Sequence, residues 1–200
     1  MYKYFFKRFF DIVIALIALP FVLLVIIVCG PVIWLTDKGP IFYNAERVGK
    51  DGKFFKMLKL RSMYINSKDI RNEDGSTYNS DNDPRVTPVG RILRKTSLDE
   101  FPQFLNVLIG DMSIVGPRPS LTTTPYSEYN ADRKKRVKVR PGVTGYSQAY
   151  YRNSITMDEK FAYDAYYVDN YTLVLDIKIL FKTIWSVISK KNINANQIIR

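Results

Sequence analysis

Two carboxylates stand side by side at Asp99 and Glu100, in the stretch TSLDEFPQ (residues 96–103), directly after the basic residues Arg91, Arg94 and Lys95. Adjacent acids beside cations serve either local structure or chemistry. As structure, Ser97-x-x-Glu100 has the spacing of a capping box: the serine side chain accepts from the glutamate amide, and the glutamate reaches back. Asp99 is then a first-turn acid favoured by the helix dipole, and Pro102 marks the same helix start. As chemistry, a carboxylate can be a nucleophile or hold Mg2+, while Arg and Lys neutralise phosphate, so phosphoryl transfer needs only these residue types. Local pattern alone favours the cap.

Composition narrows the chemistry. The 200 residues hold no histidine and one cysteine, Cys29, inside an apolar run. Disulfides, His/Cys zinc sites and histidine-based triads are therefore excluded. Thirty Lys+Arg against 19 Asp+Glu give a formal charge of +11, which points to a polyanionic partner: nucleic acid, an anionic membrane surface or a phosphorylated substrate. Two further arginines sit in rigid turns: Arg118 between prolines in VGPRP (115–119), and Arg140 against the Pro-Gly of VRPGVTG (139–145). Fixed backbone on either side lowers the entropy lost in holding a guanidinium fork on phosphate. Either arginine alone is equally an ordinary turn residue.

The elements that must position these groups begin with a membrane segment. Residues 12–35 carry no charge over 24 positions. As a straight helix this is about 36 Å, enough for a hydrocarbon core of about 30 Å. Lys3, Lys7 and Arg8 precede it, and Lys38, Arg47, Lys50, Lys53, Lys56, Lys59 and Arg61 follow it, so the positive-inside rule pulls both ends to the cytoplasm. Pro20 and Gly30-Pro31 offer breaks that would let the segment enter one leaflet and return; a plain transmembrane anchor with a tolerated proline is the alternative. Beyond it, Asp51-Gly52 between IFYNAERV and KFFKMLKLRSM predicts a β-hairpin. Residues 66–84 read as a mobile solvated loop. Residues 89–112 turn helical. In DIKILFKTIWSVISKK, Ile177, Leu180, Phe181, Ile184, Trp185 and Ile188 share one helical face, which suits either an interfacial helix or a helix on the domain's own core. No internal repeat or second linker-bounded domain is visible.

FKRFFDIVIALIALP, FKMLKLRSM, DPRVTPVGRILRKTSLDEFPQFLNVLIGDMSIVGPRP, VRPGVTGYSQ and FAYDAYYVDNYTLVLDIKILFKTI together resemble the bacterial sugar transferases, the monotopic phosphoglycosyl transferases, in their minimal form. The resemblance implies an α+β, mainly helical fold: a re-entrant membrane helix broken at Pro20 (residues 1–36), then one compact cytoplasmic domain (37–200) with a small hairpin and amphipathic interfacial helices. It implies transfer of a phosphosugar from a UDP-sugar to polyprenol (undecaprenyl) phosphate, releasing UMP, as the membrane step that begins a surface glycan. By carry-over, Asp99 is the nucleophile, forms a phosphosugar-aspartyl intermediate and contacts Mg2+; Glu100 completes the dyad. Lys59, Arg94, Arg118 and Arg140 then shield the phosphates. An attack site at a helix start would also gain amides facing the phosphoryl group. The implied place is the bacterial inner membrane, monotopic, with the catalytic domain on the cytoplasmic face; self-association as a homodimer is left open. Where the family commonly carries tryptophan after the TG and a VNGRN segment, this chain reads TGYSQAYYRN, without a glycine before Arg152.

The rival is a non-enzymatic, membrane-anchored basic domain that binds nucleic acid or anionic lipid. No nucleic-acid motif accompanies the charge. A catalytically dead scaffold is the third reading, and the presence of Asp99, Glu100, Lys59 and Arg118 argues against it.

Overall fold

The apolar run folds as α1 (Lys7–Asp37), entered through a π-helical turn at Tyr2–Phe6. In the computed structural model the described residues are 2–70, 78, 80, 82–152 and 154–189. Among them, α1 is the one helix long and apolar enough to cross a membrane. It continues through Pro20 and Pro31, so neither proline ends it, although each removes a backbone donor. Its large side chains, among them Leu16, Ile17, Phe21, Leu24 and Ile27, stay exposed.

Both ends of α1 dock on the rest of the chain. Near the start, Arg8 donates to the carbonyls of Val107 (2.6 Å) and Leu108 (3.1 Å). Asp11, one turn on, is buried and accepts from Ser113 Oγ and from the Ile114 amide at 2.9 Å. At the far end, Asp37 receives both terminal nitrogens of Arg61 at 2.6 Å. Ile33 joins Leu60 and Leu93 in a small apolar cluster, while Ala15 belongs to the main core with Phe55, Met57, Val107, Met112 and Ile179. A fully buried side chain of the Val, Ile or Met type contributes about 1.5–3 kcal/mol.

The expected hairpin is present: β1 (Ala45–Val48) and β2 (Phe54–Met57) pair antiparallel, Ala45 opposite Met57 and Val48 opposite Phe54. Asp51 and Gly52 both have positive φ, as the turn requires. The segment after β2 runs extended into an antiparallel bridge between Phe42 and Leu60. Much of the loop expected at 66–84 falls on residues 71–77, 79 and 81, outside the described residues.

The helical pattern over 89–112 divides in two. Helix α2 (Pro88–Thr96) is capped by Thr87, whose hydroxyl accepts from the Gly90 amide, and ends where Ser97 turns left-handed (φ 59°) with its N–H on the carbonyls of Arg94 and Leu93. A 3-10 turn at Leu98–Glu100 and then the short α3 (Gln103–Ile109) follow. The capping box expected at Ser97 is therefore absent. An N-cap needs extended backbone so that its oxygen faces the next turn, and Ser97 instead closes the helix before it. Gly90 lets α2 lie on the extended segment, since a Cβ there would meet the Ser62 carbonyl at 1.9 Å.

The two glycine-proline clusters pack against each other. A parallel pair absent from the sequence reading, β3 (Ser113–Val115) and β4 (Gly142–Thr144), sets Ser113 beside Gly142. A Cβ on Gly142 would meet the Gly116 amide nitrogen at 2.1 Å, so only glycine permits the approach. Helices α4 (Ala131–Arg136), α5 (Tyr146–Tyr150), α6 (Met157–Asn170) and α7 (Leu173–Ile188) complete the fold. In α7, Ile179 is fully buried and Leu180 packs on the main core, whereas Ile177, Phe181, Ile184 and Trp185 stay exposed; the Ile188 side chain lies outside the description. The apolar face drawn in the sequence is thus turned outward except at Leu180.

Candidate active site

Asp99 and Glu100 sit in the 3-10 turn between α2 and α3, not in the first turn of a long helix, so α3, at seven residues, supplies little dipole to them. What gathers them is the extended segment after β2. Lys59 places Nζ 2.8 Å from Asp99 Oδ2 and 3.2 Å from Glu100 Oε1. The Leu60 amide donates to the Asp99 carbonyl at 2.9 Å, which joins the two backbones. Asn106, wholly buried on α3, accepts from the Leu58 amide (2.8 Å) and donates to the Lys56 carbonyl (2.9 Å). That side chain fastens α3 to the lysine's segment. An asparagine inside a helical pattern gave no signal of this role.

The charges hold one another. Burial alone would pull the Lys59 ammonium down, but Glu100 and Asp99 outweigh it and leave its pKa above the ordinary lysine value. Burial would push Glu100 up, but Lys59 and Arg118 outweigh it and leave its carboxyl below the usual range. Lys59 and Glu100 are consequently ionised across neutral pH. Asp99 is 2% exposed, and its Oδ2 receives no directed hydrogen bond, although the Lys59 ammonium is close.

Of the arginines singled out, the structure brings two to this place. Arg94 donates from Nε to Ser62 Oγ at 2.9 Å, and its charge acts on Asp99. Arg118 leaves its side chain exposed within electrostatic reach of Lys59 and Glu100. Its loop is held from behind: Arg136, buried against Asp164 (2.9 Å), donates to the Arg118 carbonyl at 2.8 Å and to Ser120 Oγ at 3.2 Å. Arg140 goes elsewhere, with Nε on the Gly110 carbonyl at 2.7 Å and Arg8 as its charged neighbour. In the departing stretch, Arg152 adopts a left-handed φ of 49°, and Tyr146, Tyr150, Tyr151 and Tyr163 stack.

Among the described residues no three acids cluster as a ready metal cage. Mg2+ commonly takes one or two carboxylates plus substrate phosphate oxygens, and an adjacent Asp-Glu pair, with the Asp99 carboxylate paired to Lys59 alone among the described residues, has the donor types for that set. The arrangement therefore presents two carboxylates inside a ring of cations, a form suited to receiving a phosphate ester.

Known proteins resemble the chain over most of its length. The chain is 40% identical over 192 residues to the galactosyl transferase CpsE of Streptococcus agalactiae, covering 89% of this chain and 41% of that protein. It is 41% identical over 196 residues to the undecaprenyl-phosphate galactose phosphotransferase of Salmonella typhimurium, covering 90% and 40%. It is 38% identical to the exopolysaccharide production protein ExoY of Sinorhizobium fredii over 192 residues, covering 90% and 84%. The chain thus spans about two-fifths of the length of the first two. The bacterial sugar transferase model matches residues 2–190, and the chain belongs to the bacterial sugar transferase family.

Proposed function

We propose that the chain transfers a sugar phosphate from a UDP-sugar to polyprenol (undecaprenyl) phosphate at a membrane surface. The observation that carries this is the Asp99–Glu100 pair, neutralised by Lys59 at 2.8 and 3.2 Å and flanked by Arg94 and Arg118, on a body clasped to an apolar helix. Relatives named as undecaprenyl-phosphate galactose phosphotransferase and UDP-glucose:undecaprenyl-phosphate glucose-1-phosphate transferase support the donor and acceptor.

In this reading an Asp99 carboxylate oxygen attacks the β-phosphorus of the donor. The bond from that phosphorus to the bridging oxygen breaks, UMP leaves, and the sugar phosphate is held on Asp99. A phosphate oxygen of the polyprenol phosphate then attacks the same phosphorus and returns Asp99 to its carboxylate, giving polyprenol diphosphate sugar. Lys59, Arg94 and Arg118 offset the phosphate charge that would otherwise repel the nucleophile. Asp99 and Glu100 would hold Mg2+, which supplies further charge neutralisation on the diphosphate. The Arg136–Asp164 pair keeps the Arg118 turn in place.

The membrane reading follows from the two ends of α1. Arg8 and Asp11 at one end and Asp37 at the other all bind the same body, which can lie on one side of a bilayer only. A helix that enters one leaflet and returns meets that condition, with a bend where Pro20 removes a hydrogen bond. The positive flanks favour a body on the cytoplasmic side, which in this reading is that of the bacterial inner membrane.

The test is UMP release from a panel of UDP-sugars with polyprenol phosphate and Mg2+. Asp99→Asn is expected to lose about 10³-fold or more in turnover, as removal of a covalent nucleophile does. Mass spectrometry after donor alone should find the sugar phosphate on Asp99. Near-normal turnover by a folded Asp99→Asn enzyme would show that Asp99 is not the nucleophile.

A further inference from the structure

A second cationic cleft lies apart from the dyad. Lys3, Lys7 and Arg8 from the chain start, Lys50 from the hairpin turn, and Lys138 and Arg140 after α4 converge on an open volume of about 120 Å³. Among the described residues Asp11 is the one acid in its wall. The cleft and the dyad occupy opposite ends of α3: Glu100 precedes Gln103, whereas Arg8 and Arg140 cap the carbonyls of Val107, Leu108 and Gly110. The ten residues from Glu100 to Gly110 span about 15 Å at helical rise.

Local structure accounts for part of this charge. Arg8 and Arg140 satisfy carbonyls at the C-terminus of α3, and Lys7 offsets the buried Asp176 at 2.8 Å and Asp11 at 3.5 Å. It does not account for the rest. Lys3 meets a backbone carbonyl, that of Asp169, and the Tyr171 ring, neither of which neutralises it. Among the described residues Lys50 has only the loose pair with Asp51 at 3.9 Å, both side chains well exposed, and no carboxylate pairs with Lys138. Three elements distant in sequence thus bring unneutralised ammonium groups to one concave place, at a cost in mutual repulsion that an anion would relieve.

Its position says which anion. The cleft flanks the π-helical turn and the first turns of α1, where Phe5, Phe6, Phe9 and Phe10 are exposed, and Ile109 at the end of α3 is 70% exposed. Aromatic rings entering the acyl boundary would put the lysines at the depth of the phosphate groups. The geometry points to this cleft as a docking site for the phosphate of an anionic phospholipid headgroup, separate from the sugar-phosphate transfer site. The assignment rests on the membrane reading of α1 but not on the transfer chemistry.

The test uses the full chain in neutral detergent, without donor or acceptor, by native mass spectrometry with phosphatidylglycerol or phosphatidylcholine added. The wild type is expected to retain phosphatidylglycerol selectively. The double variant Lys50→Gln/Lys138→Gln should weaken that retention about tenfold, while Lys95→Gln/Lys134→Gln, with the same charge change on exposed lysines elsewhere, should not. Equal weakening in both pairs would mean diffuse attraction and overturn the site; so would no weakening in either. Displacement of the lipid by millimolar inorganic phosphate would make the ligand a free anion and overturn the lipid assignment. UMP release, measured separately, judges the transfer reading and does not enter this outcome.

Discussion

Lys59 is the residue on which the pair of acids depends. With Glu100 held below the ordinary carboxyl range, its share of stability is present above about pH 4.3, the unfolded value, and is lost as pH falls through the lower folded value. With Lys59 held above the ordinary amine range, its share is present below about pH 10.4 and is lost as pH rises through the higher folded value. The wild type should therefore unfold at a nearly constant temperature between pH 6 and 9. Lys59→Met leaves two neighbouring carboxylates without their cation, at a cost of about 3 kcal/mol at pH 7. Burial of Glu100, no longer outweighed by the lysine, then favours its protonated form in the folded state, so the variant should be more stable at pH 5 than at pH 8, a slope that thermal unfolding in detergent would reveal. A flat profile in the variant would mean that the arginines suffice. The dyad itself was legible in the sequence through the long block around SLDE, whereas its partner forty residues upstream was visible only by carry-over, since a contact across a fold leaves no local pattern. Asn106 left none at all.

At the scale of elements, spacing rules succeeded where one short-range cause decides the backbone and failed where two compete. Asp51-Gly52 carries its own turn geometry, and the hairpin followed. Ser97 satisfied the spacing of a cap for the next helix, yet the end of α2 required a left-handed residue there, and that demand won. The same rule holds at Thr156 and Glu159, where a complete capping box opens α6 and had not been singled out. The β3–β4 pair was not legible because three-residue strands are too short to show alternation. Ser97→Thr separates the two accounts of this position. A left-handed helix end accepts Ser97→Gly with a change within about 0.5 kcal/mol, while Ser97→Thr, β-branched at positive φ, should cost about 1–2 kcal/mol, where a cap would keep threonine almost as well as serine. A loss for threonine no larger than for glycine in chemical denaturation would restore the cap.

For the whole molecule, basic flanks stand on both sides of the apolar run, and both ends of α1 are clasped to the rest of the chain, through Arg8 and Asp11 at one and Asp37 at the other. Single cysteines at positions 3 and 43, in a Cys29→Ala background, should react with a membrane-impermeant maleimide only after the cytoplasmic side is opened. Reaction from opposite sides would replace the returning helix with a spanning one. One further feature sets limits on how this chain can vary. Lys59, Leu60 and Arg61 are consecutive in an extended stretch, and they serve the dyad, the apolar cluster around Ile33 and the Asp37 clasp in turn. Side chains alternate along such a stretch, so inserting or deleting one residue would point the lysine and arginine where the leucine belongs. Length variation should consequently be barred between residues 56 and 62, even where individual substitutions are accepted.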